Sequence, residues 1–339
     1  MADSFSVAMC TYNGARFLGA QLASIAAQTR TPDELVVCDD RSTDETARIV
    51  RDFAFTAPFR VRLHVNEENL GSTKNFERAL SLCEGDLIAL CDQDDAWLPS
   101  KLARLEDEFA RDPAALVVFS DASIVDEESR PTGQGLWESV GLNGAELERL
   151  KSGRGLGDLL RGSTVTGATM AVAARLRALA LPIPTDLPFI HDAWMSLLAA
   201  CVGGVRPVAE PLVLYRRHTS QQVGPLARPE GAGGLRAVAF GETQSALARE
   251  NPYDSTLAVA RAARTRLADA RTRGLDITKG VRAARSLDEL DARITHWEAR
   301  RTLPRARLRR AAPVLWELLT LRYQRYSNGI ASAAKDLLS

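Results

Sequence analysis

Four short strand-like runs in the first part of the chain, each stopping at a polar cluster, limit what this sequence can fold into. Phe5–Cys10 stops at Thr11-Tyr12-Asn13, and Leu35–Cys38 stops at Asp39-Asp40. Val61–Val65 is followed by Asn69-Leu70-Gly71, and Leu87–Cys91 runs directly into Asp92-Gln93-Asp94-Asp95. Between them lie stretches with helical spacing: residues 15–28 carry Leu18, Leu22 and Ile25, and residues 72–83 follow Gly71. A helix over 99–111 and a fifth strand over Leu116–Phe119 extend the pattern. Strands alternating with helices of this length predict βαβ units and a mainly parallel, Rossmann-like α/β sheet with helices on both faces. Ligands bind such sheets at the carboxyl ends of the strands. The four polar clusters are therefore expected to meet on one rim.

Beyond residue 130 the pattern loosens. Residues 130–165 are Gly-rich and polar around an isolated Trp137, and read as a mobile loop-plus-helix insertion. Thr166–Val172 and Pro211–Arg217 read as further strands, and 192–201 as a helix starting at His191-Asp192. Thr43 is the expected N-cap of the helix after the second strand. Pro225–Gly234 reads as a linker, and the remainder as helices rich in Ala, Arg and Leu. This predicts two domains, 1–224 and a helical C-terminal extension over 225–339.

The formal net charge is zero, yet residues 251–339 hold twice as many basic as acidic groups, leaving 1–250 net acidic. With an acidic first part and no recognisable module, nucleic-acid binding is not expected. The five scattered cysteines form neither a metal spacing nor a disulfide framework, which points to a reducing, cytoplasmic setting. MADSFSVAMC lacks the pattern of a secretion signal, and no apolar run is long enough to span a bilayer.

The acidic cluster carries the chemistry. Carboxylates at i and i+2 just past a strand can share one hard cation. Mg²⁺ or Mn²⁺ takes oxygen ligands and keeps positions for water and substrate phosphate, where it offsets charge on a departing diphosphate. Three like charges in four residues are costly unless a cation or base answers them. Phosphatases of the haloacid dehalogenase type and phospho-accepting receiver domains also use acidic clusters. Both place them after the first strand, whereas here Asp39-Asp40 follows the second and Asp92–Asp95 the fourth.

Taken together, these segments resemble family 2 glycosyltransferases of the GT-A fold over residues 4–224. The likeness rests on Thr11-Tyr12-Asn13-Gly14, Val36–Asp44, Asn69-Leu70-Gly71, Cys91–Trp97, His191-Asp192-Ala193-Trp194 and Tyr215-Arg216-Arg217-His218. Within the family, the chain is similar to bacterial rhamnosyltransferase-like members acting in cell-surface polysaccharide assembly, on Asp92–Trp97, the Tyr215–His218 segment and Arg322–Gly329. The resemblance implies inverting, metal-dependent transfer of a sugar from a UDP- or dTDP-linked donor to a hydroxyl of a glycan or lipid-linked acceptor. It implies that Thr11, Tyr12 and Asn13 contact the nucleotide and that Asp39 accepts from the pyrimidine N–H, with Asp40 beside it. It further implies that Asp92 lies near the ribose, with Gln93 beside it in the donor site, and that Asp94 binds the metal. Lys74, in the first turn of the helix beside Gly71, could offset diphosphate charge. A catalytically silent sugar-nucleotide-binding or scaffold protein of the same fold is the alternative.

Inversion by direct displacement needs a base opposite the leaving group, within hydrogen-bond reach of the acceptor hydroxyl. Asp192, heading an apolar helix, matches the family's base; its other reading is an N-cap. The family match also implies that His218 completes the metal shell and that Gln221–Gly224 closes over the donor. At most one of Arg216 and Arg217 should face the site, because successive strand residues alternate. In the tail, Arg305, Arg307, Arg309 and Arg310 precede Val314–Leu319. Such a helix suits either peripheral contact with the inner face of the plasma membrane or packing on the catalytic domain or a twin subunit.

Overall fold

A computed structural model describes residues 3–162, 164–219, 221, 253–304 and 306–338. The chain divides into two compact units, residues 1–240 and 241–339; the expected boundary at 224/225 and the linker Pro225–Gly234 lie outside the described residues.

In the first unit, β1 (Phe5–Thr11), β2 (Glu34–Asp39) and β4 (Leu87–Cys91) are almost wholly buried, as strands covered on both sides must be. They are parallel, and their registers pair Thr11 with Asp39 and Met9 with Cys91, so their carboxyl ends finish at one level. β3 (Arg60–Val65) pairs with β2 at the sheet edge, where Arg60 and Arg62 blunt it against further pairing.

The intervening helices bury the residues their spacing predicts. In α1 (Ala15–Ala26), Leu18, Leu22 and Ile25 point inward. In α3 (Ser72–Leu82), Asn75, Phe76, Ala79 and Leu80 do so. α2 (Thr46–Ala54) starts later than Thr43 would have it. Asp44, not Thr43, bonds the first turn, accepting from the Thr46 N–H at 3.0 Å.

Past β4 the sheet becomes mixed. β5 (Ala96–Trp97) precedes α4 (Lys101–Arg111), β6 (Val117–Val125) and β7 (Pro131–Gly135); β8 (Met170–Ala173) and β9 (Val205–Arg216) come later. The order is β3-β2-β1-β4-β8-β6-β9-β5, with β7 on β6. β8 runs antiparallel to both β4 and β6, and β9 parallel to β6. The Thr166–Val172 run is a short 3-10 turn (Gly167–Thr169) leading into β8, rather than one strand.

The 130–165 insertion contains β7 and three short helices, α5 (Leu136–Ser139), α6 (Gly144–Lys151) and α7 (Leu156–Leu159). It is anchored rather than loose. The Trp137 ring packs on Phe119 at 5.6 Å and donates to the Ser120 carbonyl at 3.1 Å. α6 has a reciprocal capping box between Asn143 and Glu146. α8 (Arg177–Ala180) and α9 (His191–Cys201) also belong to this unit; α9 is buried along its whole length.

The second unit holds α10 (Asp254–Thr272), α11 (Val281–Arg301), α12 (Arg307–Leu319), α13 (Arg322–Tyr326) and α14 (Ile330–Leu338). Its apolar centre joins Val314, Tyr323 and Ala333. Beside it runs a buried polar network. His296 bonds Glu317 at 2.6 Å and Ser327 at 2.9 Å, and Asp336 accepts from Arg300 and from the Tyr323 hydroxyl, each at 2.6 Å. No helix among the described residues is long and apolar enough to cross a membrane.

Candidate active site

A cleft of about 350 Å³ opens at the carboxyl ends of β1, β2 and β4, and the polar clusters meet there as the strand order requires. Thr11, Tyr12, Asn13, Asp40, Asn69, Gly71, Asp92, Gln93 and Asp94 line it, together with Thr166, Gly167, His191, Asp192 and His218.

The acidic turn is bolted down from below. The Asp95 side chain accepts from the Arg216 N–H at 2.9 Å, and the Arg216 guanidinium donates to the Asp94 carbonyl at 2.8 Å. Arg216 also donates to the Glu127 carbonyl at 2.9 Å and lies over the Phe17 ring. Of the two arginines, Arg216 braces the site from behind, and Asp95 is a structural partner rather than a wall residue. Deeper still lies Lys101, which the sequence pattern passes over as an ordinary helix lysine. It is fully buried, donates to the Ala168 carbonyl at 2.7 Å and sits 3.6 Å from the centre of the Trp97 ring. Burial pulls its pKa down to about 7, against the upward pull of Cys91, Asp95 and Asp92. Asp92 is pushed up to about 7 by burial, then by Asp94 and Asp192, while Lys101 draws it down. Asp95 is raised well above the carboxylate range by burial and by Asp94 and Asp92. Ionising all of these carboxyls is costly with one buried lysine beside them, a cost that a bound cation would relieve.

Asp94 and His218 meet directly, Oδ2 to Nε2, at 2.8 Å. His218 is held at the end of β9 by the Phe17 ring, 4.9 Å between centroids. These two ligand atoms fit a divalent ion whose other positions go to phosphate and water. Among the described residues no group of three or more His, Cys, Asp or Glu side chains converges on one point to form an all-protein cage.

Gln93 joins the first and fourth clusters. Its amide oxygen accepts from the Tyr12 N–H at 2.9 Å and its amide nitrogen donates to the Tyr12 carbonyl at 3.0 Å. Gly14 leaves the space this needs, since a Cβ there would stand 2.0 Å from the Gln93 oxygen. Asn13 adopts positive φ (47°) and accepts from the Thr43 N–H at 2.8 Å, fixing the loop to the second cluster.

Two expected site residues are placed differently. Asp39 is fully buried and turned inward. Its carboxylate accepts from the Thr11 hydroxyl at 2.8 Å, the Ser42 hydroxyl at 2.6 Å and the Ser42 N–H at 2.8 Å. Because neighbours on a strand point to opposite sides, Asp40 forms the wall instead. It accepts from Asn66 and the Leu70 N–H, each at 2.7 Å, and from the Gly71 N–H at 2.9 Å, shaping the Asn69–Gly71 loop. Lys74 is turned away from the cleft and donates to Glu77 and to the Ile183 carbonyl, each at 2.9 Å. Gly71 has φ 76°, a conformation that favours glycine, and leads into α3.

Asp192, lining the same cleft, is the second residue of α9, after the Ile190 cap, so it is not the N-cap. Its oxygens accept from the Gly167 N–H at 2.9 Å and the Ala193 N–H at 2.6 Å. His191 stacks on Phe76 at 4.0 Å, and burial lowers its pKa. Gln221 lines the cleft; Gln222–Gly224, expected with it as a closing loop, lies outside the described residues.

Over 216 residues the chain is 29% identical to an uncharacterized protein of Mycobacterium tuberculosis, covering 63% of the chain and 58% of that protein. It is 33% identical over 223 residues to an uncharacterized glycosyltransferase of Nostoc sp., covering 63% of the chain and 64% of the relative. The chain thus spans less than two thirds of the length of these relatives. A stretch of 97 residues is 36% identical to the UDP-Glc:alpha-D-GlcNAc-diphosphoundecaprenol beta-1,3-glucosyltransferase WfgD of Escherichia coli, 29% of the chain and 37% of that enzyme. Among solved structures, S. aureus TarS 1-349 in complex with UDP-GlcNAc shares the fold, with a TM-score of 0.52 at 18% identity, covering 95% of this chain and 89% of that one. Residues 6–179, more than half of the chain, match the model of glycosyl transferase family 2, and the chain belongs to that family.

Proposed function

We propose that the chain is an inverting glycosyltransferase that moves a sugar from a nucleotide diphosphate to an acceptor hydroxyl. The observation that carries this is the arrangement in one cleft: Asp92, with Asp94 and His218 in direct contact, and Asp192 lining the same space. Tyr12, Asn13 and Asp40 form the end that suits the nucleotide, with Thr11 and Gln93 holding that end in shape. Asp94 and His218 would hold Mg²⁺ or Mn²⁺, which supplies positive charge opposite the diphosphate. Asp192 takes the acceptor proton; its two N–H donors aim the carboxylate and leave oxygen lone pairs for the incoming hydroxyl. The Asp92 carboxylate, crowded by the like charges of Asp94 and Asp192, favours a cationic or sugar-hydroxyl partner.

The likeness of the Tyr215–His218 segment and the Asp92–Trp97 form to rhamnosyltransferase-like members points to rhamnose from a UDP- or dTDP-linked donor. The likeness to an enzyme whose name specifies a diphosphoundecaprenol-linked acceptor supports a lipid-linked or cell-surface glycan acceptor. It also supports a position at the inner face of the plasma membrane. The test is turnover of UDP- and dTDP-sugars by purified protein with Mn²⁺ or Mg²⁺, alongside Asp192→Asn. Donor binding without turnover under any acceptor, equal in both proteins, would remove the transferase reading in favour of a silent binding protein.

A further inference from the structure

α12 and the segment after it show an unusual division of charge. After Glu298 the sequence holds only two acidic residues, Glu317 and Asp336. Both are buried and spent internally, Glu317 on His296 and on Arg322 at 2.9 Å, Asp336 on Arg300 and Tyr323. The basic residues Arg307, Arg309, Arg325 and Lys335 are exposed. Every exposed charge among the described residues of this segment is therefore positive.

The same segment leaves an apolar helix face uncovered. On α12, Leu308, Leu315, Trp316 and Leu319 are 93%, 56%, 63% and 70% exposed. Their spacing of i, i+7, i+8 and i+11 places them on one side, while Val314 and Glu317 face the interior. Arg307 and Arg309 flank Leu308. Ile330 and Leu338, at i and i+8 on α14, are likewise exposed, at 75% and 68%. Large apolar side chains exposed together on one face mark an interaction surface.

We propose that this face of α12 docks on an anionic phospholipid bilayer, lying in the plane of the headgroups. Leu and Trp enter the acyl boundary, where Trp is favoured, and the arginines meet the headgroup phosphates. A second copy of the chain fits the same face poorly, because a two-fold contact would set its positive rim against itself with no exposed acid in the segment to answer it. The inference deepens the membrane-side location proposed above but is read out without transfer activity.

The test is co-sedimentation of the full chain with phosphatidylcholine vesicles, with and without phosphatidylglycerol. Binding is expected with the anionic vesicles and should weaken in high salt. Each basic residue beside an anionic surface counts for about a fivefold change in partition, so Arg307→Glu with Arg309→Glu should weaken binding by about 25-fold or more. Trp316→Ser with Leu319→Ser should weaken it by about tenfold or more. These side chains are exposed, so thermal melts of both variants should match wild type. A blue shift of tryptophan emission on vesicle binding should vanish in Trp316→Phe. Wild-type binding by the Trp316→Ser, Leu319→Ser variant, or equal binding to neutral vesicles, would overturn the proposal. So would absence of vesicle binding together with a dimer that the same variant dissolves, which would assign the face to a second copy. Nucleotide binding by the same preparations, followed by melting shift, separates failure of this surface from failure of the donor site.

Discussion

Gly14→Ala probes the joint between the nucleotide loop and the acidic turn. The backbone at Gly14 (φ −103°, ψ 10°) is open to alanine, so the effect is steric. The new Cβ would lie 2.0 Å from the Gln93 oxygen and 2.3 Å from its amide carbon, so the Gln93 side chain must leave. Both of its bonds to Tyr12, at 2.9 and 3.0 Å, go with it. Each such bond is worth about 0.5–1.5 kcal/mol, and Tyr12 is 39% exposed, so water takes up part of the loss; the cost is about 1–2 kcal/mol. Reduced freedom of the unfolded chain returns about 0.5 kcal/mol. Urea denaturation should therefore place Gly14→Ala about 0.5–1.5 kcal/mol below wild type. Gln93→Ala, which loses the bonds without a clash, should cost about 1–2 kcal/mol. Placed in a Gln93→Ala background, Gly14→Ala should be neutral or stabilising, because nothing remains to collide with. That non-additivity of about 1–2 kcal/mol is the signature. Equal cost of Gly14→Ala in both backgrounds would refute the argument that Gly14 exists to seat Gln93.

Four further outcomes follow from the geometry. Asp192→Asn should keep nucleotide affinity and lose transfer by about 10²–10⁴-fold; near-normal turnover would take Asp192 out of the chemistry. Asp94→Ala and His218→Ala should each abolish the difference in nucleotide affinity between Mn²⁺ and chelator, measured by calorimetry, whereas Lys74→Ala should leave affinity unchanged. Asp92 is raised to about 7 by burial and its acidic neighbours. Its stabilising contribution in metal-free protein is complete below the unfolded value near 4 and is lost as pH rises through 7. The rise in melting temperature with Mn²⁺ should accordingly be larger at pH 8 than at pH 5, and equal rises would contradict the site. For Glu34, burial alone would raise the carboxyl. Hydrogen bonds from the Glu84 N–H, Ser6, Arg60 and Arg62 outweigh it and lower the pKa to about 2. That contribution is present above the unfolded value of about 4.5 and is lost as pH falls toward 2. Glu34→Gln should therefore flatten this limb of the acid-stability curve.

The sequence by itself determined the strands that end at the cleft and the identity of their polar endings. Phe5–Cys10, Leu35–Cys38 and Leu87–Cys91 can be buried on both faces only in a covered sheet, and parallel register then brings their ends together. It also determined that Asp92–Asp95 needs a counter-charge, since crowded carboxylates demand one wherever they sit. Tertiary structure decided which member of each cluster faces the cleft. Asp39 and Asp40 are adjacent and chemically alike; the pleat guarantees only that they diverge, and the hydroxyls of Thr11 and Ser42 hold Asp39 inward. The same holds for Arg216 and Arg217. Lys74 carried a plausible charge at a helix start, but its long side chain reaches Ile183, 109 residues away in sequence. Lys101 opens an amphipathic helix like any surface lysine, and only the approach of Ala168 and Trp97 buries it. In the tail, Glu317 and Asp336 lie among the arginines in sequence, a spacing that suits an ordinary helical bundle as well as a charged surface. The structure folds both inward against His296 and Arg300, leaving a positive surface that local spacing cannot show, because it depends on partners 21 and 36 residues distant.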